Sequence, residues 1–335
     1  SFRIYPNGSG LADRAAISII DDLGGVGTLN DTEELIEPSK TASLMRFATY
    51  ASVSVATVLI VIKTGAWFAT ESVSLLSSLV DSLLDVGASV VNLIAVRHAL
   101  QPADRDHRFG HGKAEALAGL AQAAFIVGSG AFLLLESVDR FIQPREISNS
   151  ETGIIIMIIA IVMTLLLVGF QSYVVKQTGS VAISADSLHY RADILVNVAV
   201  IVSLVLASNL QWYIADPIFA ILIVAYMSIG AYKIAMQSMG VLMDKEFTDE
   251  DRWRIKEIAE SHAKVLSVHD MRTRSSGATS FIQFHVEMDK EISLAEAHDI
   301  ADEVMYMVEA AFPNTEVLIH QDPEGVDERR DDIQE

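Results

Sequence analysis

Six apolar stretches, each long enough to cross a lipid bilayer as a helix, constrain the fold of this chain more than any other feature. Their approximate ranges are 44–68, 75–99, 114–140, 152–176, 183–208 and 213–239. A helix needs about 20 mostly apolar residues to span the hydrocarbon core of a membrane. Polar or turn-forming residues separate successive stretches, for example at 101–104 and 143–145. We therefore predict a membrane domain of six transmembrane helices over residues 41–244.

The negative charge of the chain lies mainly outside this apolar middle. Of the formal net charge of −20, residues 1–40 carry −4, residues 41–244 carry −3 and residues 245–335 carry −13. Eight Lys or Arg residues flank the predicted helices on one side of the membrane, whereas only Arg140 and Arg145 flank them on the other. Because loops rich in Lys and Arg stay in the cytoplasm, we expect both termini there.

The two ends of the chain differ in what they predict. Residues 1–40 are rich in Gly and acidic residues and lack the basic and apolar segments of a signal peptide, so we expect a flexible tail without an assigned function. Residues 245–325 have the pattern of a small α+β domain, and residues 326–335 form an acidic tail. Cysteine is absent, which excludes disulfides and thiolate metal sites.

The α+β domain is predicted from caps, alternation and turn residues. Capping boxes at 248–251 and 293–296 each open a helix. A Ser-Ser-Gly-Ala turn at 275–278 joins two of the strands. The three segments that alternate like strands are 265–273, 280–288 and 315–320. The predicted order is therefore helix–strand–strand–helix–strand, with Val265, Ser267, His269, Met271 and Thr273 on one face of the first strand.

Two carboxylates four residues apart, Asp81 and Asp85, interrupt the second apolar stretch. An ionised Asp at the centre of a bilayer costs about 2.5–3.5 kcal/mol on insertion scales, so an intramembrane acid indicates a function by default. Residues i and i+4 share a helix face, and neighbouring carboxylates repel each other unless a cation or protons lie between them. The alternative is that both face a polar groove or stay protonated.

The fifth stretch carries a matching pair, His189 and Asp193, again four residues apart. Asp186 precedes Asp193 by seven residues and lies near the same helix face. Three carboxylates and one imidazole suit tetrahedral Zn²⁺, and Fe²⁺ or Mn²⁺ less decisively. We therefore predict one metal site between the second and fifth helices, with Asp81, Asp85, His189 and Asp193 as ligands.

A second group of potential ligands lies between the second and third stretches. Asp104, His107 and His111 fall within eight residues of one loop, predicted to be cytoplasmic. Carboxylate and imidazole are both zinc ligands. A solvated polar loop explains the same spacing about equally well, so spacing alone leaves both interpretations open.

The histidines of the C-terminal region form a third group. A hairpin centred on Gly277 pairs residues whose numbers sum to 554, and His269 and His285 meet that sum. Cross-strand partners stand within reach of a shared ion. His320 and Asp322 end the third strand, and His298 lies on the second helix of the domain.

A single histidine in such a domain is more often a surface or core residue than a ligand. Four histidines with an aspartate close by favour a metal site over four ordinary surface or core histidines. Only His98 and His262 have no place in these three groups.

Together these motifs resemble the cation diffusion facilitator family, and within it the bacterial efflux pumps for zinc and ferrous iron. The resemblance runs from about residue 43 to residue 326 and rests on six motifs: DSLLD, PADRDHRFGHGKAE, ADSLHYRAD, HDMRTR, FIQFHVEMD and IHQDP. It implies six transmembrane helices and a cytoplasmic αββαβ domain like a metallochaperone. It also implies a homodimer in the cell inner membrane.

The resemblance implies roles for individual residues as well. The intramembrane quartet would be the transport site, and Asp104, His107 and His111 a second site in the loop. Lys113 and Asp244 would form a charge interlock between the membrane part and the cytoplasmic domain. A binuclear site in that domain is implied for His269, His285, His320 and Asp322, with His298 and Gln321 beside it or across the dimer interface.

The ligand chemistry predicts a mechanism. Metal ligands must be deprotonated, so metal binding displaces protons and protonation displaces metal. Around a site with alternating access this exchange gives metal/proton antiport, with Zn²⁺ as substrate and ferrous iron or cadmium as further substrates. Zn²⁺ in the other sites would be structural or regulatory. The sequence has no ATP-binding motif, and we expect neither nucleotide nor nucleic acid as a partner.

Two other classes of protein compete with the transporter interpretation. An intramembrane protease also uses buried acids or metal, but the HExxH and GxGD motifs are absent and both acids of the second stretch share one helix. A membrane-tethered metal sensor would need no ligands at membrane depth, where two of the apolar stretches carry them.

Overall fold

The computed structural model describes residues 38–70, 73–142, 151–210, 212 and 214–325. The predicted N-terminal tail, up to residue 37, and the predicted acidic tail from residue 326 lie outside the described residues, and both remain predictions. Pro38, which the sequence assigned to the tail, already begins the first helix.

Six long helices form the first part of the described chain, as predicted. They are α1 (Pro38–Thr70), α2 (Val73–Ala99), α3 (Lys113–Ile142), α4 (Glu151–Thr178), α5 (Val181–Leu210) and α6 (Ala215–Leu242). Each has between 27 and 33 residues, so each is longer than the roughly 20 residues needed for the hydrocarbon core.

Four of the six helices are apolar enough to cross a membrane by length and composition over the described residues. The stretches are Lys40–Phe68, Lys113–Leu135, Ile155–Thr178 and Pro217–Leu242. Only 28–33% of each is buried within the protein, so most of their apolar side chains face outward, as lipid contact requires. The other two, α2 and α5, carry the acidic and histidine residues predicted to bind metal, which lowers their hydropathy.

The helices pack so that α5 lies among the others. It contacts α3, α4 and α6 most and also contacts α1 and α2. Ile126 of α3, Leu188 of α5 and Ile223 of α6 belong to one buried cluster. Gly230 of α6 permits this packing, because a Cβ there would lie 2.5 Å from a methyl carbon of Leu188. The close α5–α6 contact fixes the position of the helix that carries His189 and Asp193.

The C-terminal α+β domain has the predicted order of elements. These are α7 (Asp249–Glu260), β1 (Ser267–Ser276), β2 (Thr279–Met288), α8 (Leu294–Ala311) and β3 (Thr315–Pro323). The two capping predictions are confirmed, since Thr248 and Ser293 accept hydrogen bonds from the backbone N–H groups of Asp251 and Glu296. The sheet order is β1-β2-β3, with β1 antiparallel and β3 parallel to β2.

A β-bulge in β1 determines which side chains of this strand lie on the same face of the sheet as His269 and His285. His269 pairs with His285 as predicted, but the pairs nearer the turn run from Arg272 with Gln283, one residue out of that register. Asp270, with φ of 47°, lies in the bulge. Because a bulge shifts the alternation by one residue, the prediction that Thr273 shares a face with His269 is wrong. Thr273 is 3% exposed and packs on the core side of the sheet.

Candidate metal centres

The structure brings three of the four predicted intramembrane ligands together. Nε2 of His189 lies 2.9 Å from Oδ1 of Asp85 and 3.6 Å from Oδ2 of Asp193. The i, i+4 spacing places His189 and Asp193 on one face of α5, opposite Asp85 of α2. We call these three residues the membrane cluster. Asp81 lies one turn before Asp85 on α2, but its side chain lies outside the described part of the structure.

The membrane cluster opens on a cavity of about 140 Å³ between α1, α2, α4 and α5. Asp85 and Asp193 line it, together with Lys63 of α1 and Ser82 of α2. Nζ of Lys63 donates a hydrogen bond of 2.7 Å to Oγ of Ser82. Lys63 was not among the predicted site residues, although a single lysine within an apolar stretch is a signal of function on the same grounds as a single aspartate.

A buried polar network lies one turn before His189 on α5. Asp186 is 1% exposed and accepts hydrogen bonds from Oγ of Ser52 at 2.6 Å and from Nε2 of Gln171 at 2.7 Å. Ser89 and Tyr190 extend the network through a 2.9 Å contact between their hydroxyls. It ties α1, α2, α4 and α5 together next to the cluster. The sequence placed Asp186 near the ligand face, but the partners could not be identified before the helix packing was known.

The N-terminus of α5 is held by a carboxylate from α3. Glu115 is 6% exposed, and its Oε1 accepts hydrogen bonds from Oγ of Ser180 and from the backbone N–H of Ala182. A negative charge at a helix N-terminus is stabilised by the unpaired N–H groups and the helix dipole. This contact fixes the start of the helix that carries His189 and Asp193.

The three predicted loop ligands also come together, and we call them the loop cluster. Oδ1 of Asp104 lies 3.3 Å from Nδ1 of His107, and Oδ2 lies 3.3 Å from Nε2 of His111. A backbone hydrogen bond from the N–H of His107 lowers the pKa of Asp104, which keeps this carboxylate anionic. His111 is buried, and among the described residues its Nδ1 has no hydrogen-bond partner.

The C-terminal cluster consists of three imidazoles around one carboxylate. Asp322 is 5% exposed, and its Oδ2 lies 2.8 Å from Nδ1 of His285 and 3.1 Å from Nε2 of His269. Its Oδ1 lies 3.1 Å from Nε2 of His320. The parallel pairing of β2 with β3 sets His285 beside His320, and the bulge in β1 sets His269 opposite His285. With one oxygen facing His320 and the other facing the remaining two, Asp322 is able to bridge two cations.

Two residues expected at this cluster lie elsewhere in the described chain. His298 is on α8, where its Nε2 lies 3.7 Å from Oδ2 of Asp302. Gln321 lies between His320 and Asp322 on β3, so strand alternation turns its side chain to the opposite face. His298 does not join the His and Asp residues whose ligand atoms converge in the chain as described. Their part in a site across a dimer interface remains a prediction.

The predicted contact between Lys113 and Asp244 is present. Nζ of Lys113 donates a hydrogen bond of 2.8 Å to Oδ1 of Asp244. Arg274 of β1 lies 3.9 Å from the other oxygen of Asp244, and its guanidinium lies over the ring of Phe109 at 4.4 Å. Phe109 in turn packs edge-on against Phe281 of β2.

Backbone contacts reinforce this junction between the α2–α3 loop and the C-terminal domain. A Cβ added to Gly112 would lie 1.9 Å from the carbonyl oxygen of Ser276, so only glycine fits there. The loop that holds the loop cluster therefore rests directly on the β1–β2 hairpin.

Each cluster contains three residues with carboxylate and imidazole ligand atoms that lie within 4.8 Å of one another, and in the C-terminal cluster these are His269, His285 and Asp322. Such sets bind divalent cations of the zinc type. One set lies between the long helices, beside a cavity. The other two lie outside the helices.

Comparison with known proteins agrees with this architecture. A family model of the cation efflux transmembrane domain matches residues 49–243, and one of the cation efflux protein cytoplasmic domain matches residues 247–324. The cation-efflux pump FieF of Shewanella oneidensis is 47% identical over 283 residues, which are 84% of this chain and 95% of that protein. FieF of Escherichia fergusonii is 45% identical over 280 residues, 84% of this chain and 93% of that protein.

A solved structure of CzrB in its zinc form is 33% identical, covers 26% of this chain and 99% of that chain, and has a TM-score of 0.24. The family assignment rests on the two sequence models and the FieF relatives, which cover most of the chain. Those relatives are pumps rather than enzymes. The chain belongs to the cation efflux family, the cation diffusion facilitators, and is an integral membrane transporter of metal cations.

Proposed function

We propose that this protein exports Zn²⁺ from the cytoplasm in exchange for protons, with Asp81, Asp85, His189 and Asp193 as the transport site. The observation that carries the proposal is the convergence of Asp85, His189 and Asp193 at membrane depth. A structural role does not account for three ionisable groups there, since each is costly in lipid.

Proton coupling follows from the ligands themselves. Carboxylates and imidazole bind metal only when deprotonated, so a proton and a metal ion compete for the same atoms. When the site opens to the side with more protons, protonation releases the metal. When it opens to the cytoplasm, metal binding displaces the protons. The cavity beside Asp85 and Asp193 supplies the space through which a cation enters or leaves.

The choice of metal follows from donor type. Zn²⁺ takes four ligands of mixed nitrogen and oxygen type, whereas Mn²⁺ prefers oxygen. His189 is the only nitrogen donor of the proposed quartet, and it makes Zn²⁺ the first candidate. Ferrous iron and cadmium are the next substrates to test, because they also accept mixed donors.

The arrangement in the membrane is part of the proposal. The helices would span the cell inner membrane, with both termini in the cytoplasm. The excess of Lys and Arg on the side of the termini supports this orientation. We propose a homodimer, in line with the match to the cation efflux cytoplasmic domain model. The loop and C-terminal clusters would bind regulatory Zn²⁺, with the residues expected at each: Asp104, His107, His111, His269, His285, His298, His320, Gln321 and Asp322.

The test is a flux measurement in proteoliposomes that contain the purified protein. A zinc-sensitive dye and a pH-sensitive dye, both inside the vesicle, report the two ions together. Zinc entry should speed up when the interior is made acidic and should be accompanied by proton exit. A zinc flux that is independent of the imposed pH gradient would disprove the antiport.

The same preparation tests the two competing classes. A membrane-tethered sensor would bind zinc without moving it, so absence of flux with full zinc binding would favour that function. An intramembrane protease would cleave peptides in detergent. Cleavage that depends on Asp85 would replace the transporter proposal.

A further inference from the structure

The two histidines outside the predicted sites, His98 and His262, have different surroundings. His262 is fully engaged in the C-terminal domain, where its Nε2 lies 2.9 Å from Oε2 of Glu303 and its Nδ1 accepts a hydrogen bond from the backbone N–H of Lys264. Packing and hydrogen bonding account for it. His98 lies in the last turn of α2, directly before the loop that holds the loop cluster.

The ring of His98 contacts the loop cluster. Its centroid lies 4.7 Å from that of His111, in an edge-on arrangement. Over the described residues, that ring contact is the one side-chain interaction of His98, with neither a hydrogen bond nor an ion pair at its nitrogens. His98 thus presents two nitrogens, as yet unused, next to a buried imidazole whose Nδ1 is also without a partner.

The separation of these rings matches that of histidine pairs within the loop and C-terminal clusters. His107 and His111 are 4.5 Å apart, and His285 is 4.5 Å from His320 and 5.4 Å from His269. Two imidazoles bound to one tetrahedral Zn²⁺ at about 2.0–2.1 Å have centroids roughly 5 Å apart. The 4.7 Å between His98 and His111 falls inside this range.

We infer that His98 is a fourth protein ligand of the loop cluster, which completes a tetrahedral site of three imidazoles and one carboxylate. Its nitrogens are not among the ligand atoms that already lie within 4.8 Å of one another, so the ring must turn about its side-chain bonds to bind. His98 is exposed, and this rotation meets no packed core. A ring contact without metal ligation is the competing explanation.

A fourth ligand changes what the loop cluster does. Three protein ligands leave a coordination position open to water, as in sites that exchange or react, whereas four close the site, as in structural zinc centres. The closed site would join the end of α2 to the start of α3. The loop between them rests on the β1–β2 hairpin through Gly112 and Ser276. Zinc would therefore fix this loop rather than pass through it.

The test measures zinc coordination in the full-length protein with the other two clusters disabled by Asp85→Ala and His285→Ala. In that background His98→Phe keeps an aromatic ring against His111 but removes both nitrogens. We expect X-ray absorption at the zinc edge to count three imidazoles before the change and two after it. We expect zinc affinity, from competition with a chelating dye, to fall by at least about tenfold, the scale on which outer-shell partners already act.

His262→Phe in the same background is the matched control and should leave both readings unchanged. An equal imidazole count and equal affinity in the His98→Phe protein would overturn the inference and leave only the ring contact. If zinc does not bind the loop cluster at all, the inference also fails. The inference rests on the proposed function only in taking this cluster as a zinc site. Flux measured with Asp85 and His285 intact tests the transport proposal separately.

Discussion

The proposed transport quartet and the C-terminal cluster use the same two kinds of ligand in opposite proportions. The proposed transport quartet has three carboxylates and one imidazole, whereas the C-terminal cluster has one carboxylate, Asp322, among three imidazoles. With neutral imidazoles, the first set remains negative after a divalent ion binds. The second becomes positive.

The carboxylates of the two sites also differ in how exposed they are. Asp85 and Asp193 are partly exposed to a cavity that also contains the cationic Lys63, so protons and metal ions are able to reach them. Asp322 is buried, and each of its oxygens lies within 3.1 Å of an imidazole nitrogen. Both kinds of ligand bind metal only when deprotonated, so acid releases metal from either site. The two sites differ instead in net charge and in the burial of their carboxylates.

The largest expected effect comes from removing one acid of the transport quartet. Asp85→Ala should reduce zinc flux in proteoliposomes to the level of protein-free vesicles, because the site loses a ligand and His189 loses its nearest carboxylate. The protein should still fold, since the substitution also removes an intramembrane charge that costs about 2.5–3.5 kcal/mol on insertion scales.

Leu84→Ala is the matched control, because Leu84 is the exposed neighbour of Asp85 on the same helix. Its flux should stay near that of the unchanged protein. Size-exclusion chromatography checks that both variants keep the same oligomeric state. Normal flux in Asp85→Ala would show that transport does not use this cluster.

The second effect concerns the one nitrogen donor. His189→Asp makes the quartet all-oxygen, so the preference should shift from Zn²⁺ toward Mn²⁺, which favours oxygen ligands. An imidazole titrates near pH 6.5 in water, so its loss should also move the pH dependence of transport. Initial rates for both metals are measured against pH, side by side with the unchanged protein. If metal ratio and pH profile both stay the same, His189 is not a ligand.

The third effect concerns Lys63, the positively charged residue beside the membrane cluster. Lys63→Met should tighten zinc binding several-fold and slow turnover, because a positive charge near Asp85 and Asp193 opposes the incoming metal and neutralises the acids after its release. Lys63→Arg keeps the charge and serves as the control. Binding by calorimetry and flux in vesicles are compared. Weaker binding in Lys63→Met would mean that the ammonium group positions ligands rather than competing with the metal.

The sequence predicted most of the architecture because its signals are local. Helix lengths follow from runs of apolar residues, and the i, i+4 pairs follow from helix geometry, so the Asp85, His189 and Asp193 grouping was predictable. The network around Asp186 was not, since its partners come from four helices whose packing no local pattern encodes. The same holds for Glu115, which lies 65 residues from the Ser180 that it contacts.

The hairpin gives a sharper example of this limit. The pairing of His269 with His285 was predicted from a simple count, but the count assumed a regular ladder from the turn outward. Next to the turn, the observed strand pairs are one residue out of the predicted register. The bulge near Asp270 restores the predicted register at His269. A bulge depends on how the whole sheet twists against its helices, which alternation in one strand does not reveal.

The fourth effect separates the clusters by function. His269→Ala should lower the amount of zinc retained by the purified protein and reduce transport only in part, because the membrane quartet is intact. His298→Ala tests the predicted contribution across a dimer interface, since within one chain His298 is exposed and lies near Asp302. Zinc content is measured by atomic emission after dialysis. Unchanged content in His269→Ala would count against the cross-strand pair as ligands.

The smallest expected effect lies where the two regions meet. Lys113 and Asp244 are each more than a third exposed, so their ion pair should contribute only about 0.2–1 kcal/mol, less in high salt. A double-mutant cycle of Lys113→Met and Asp244→Asn measures this coupling from unfolding in denaturant. Gly112→Ala should destabilise the junction more than either change, because its Cβ meets the carbonyl of Ser276 and the backbone must move. If Lys113→Met destabilises the protein more than Gly112→Ala does, the ion pair rather than the backbone fit holds the membrane part to the C-terminal domain.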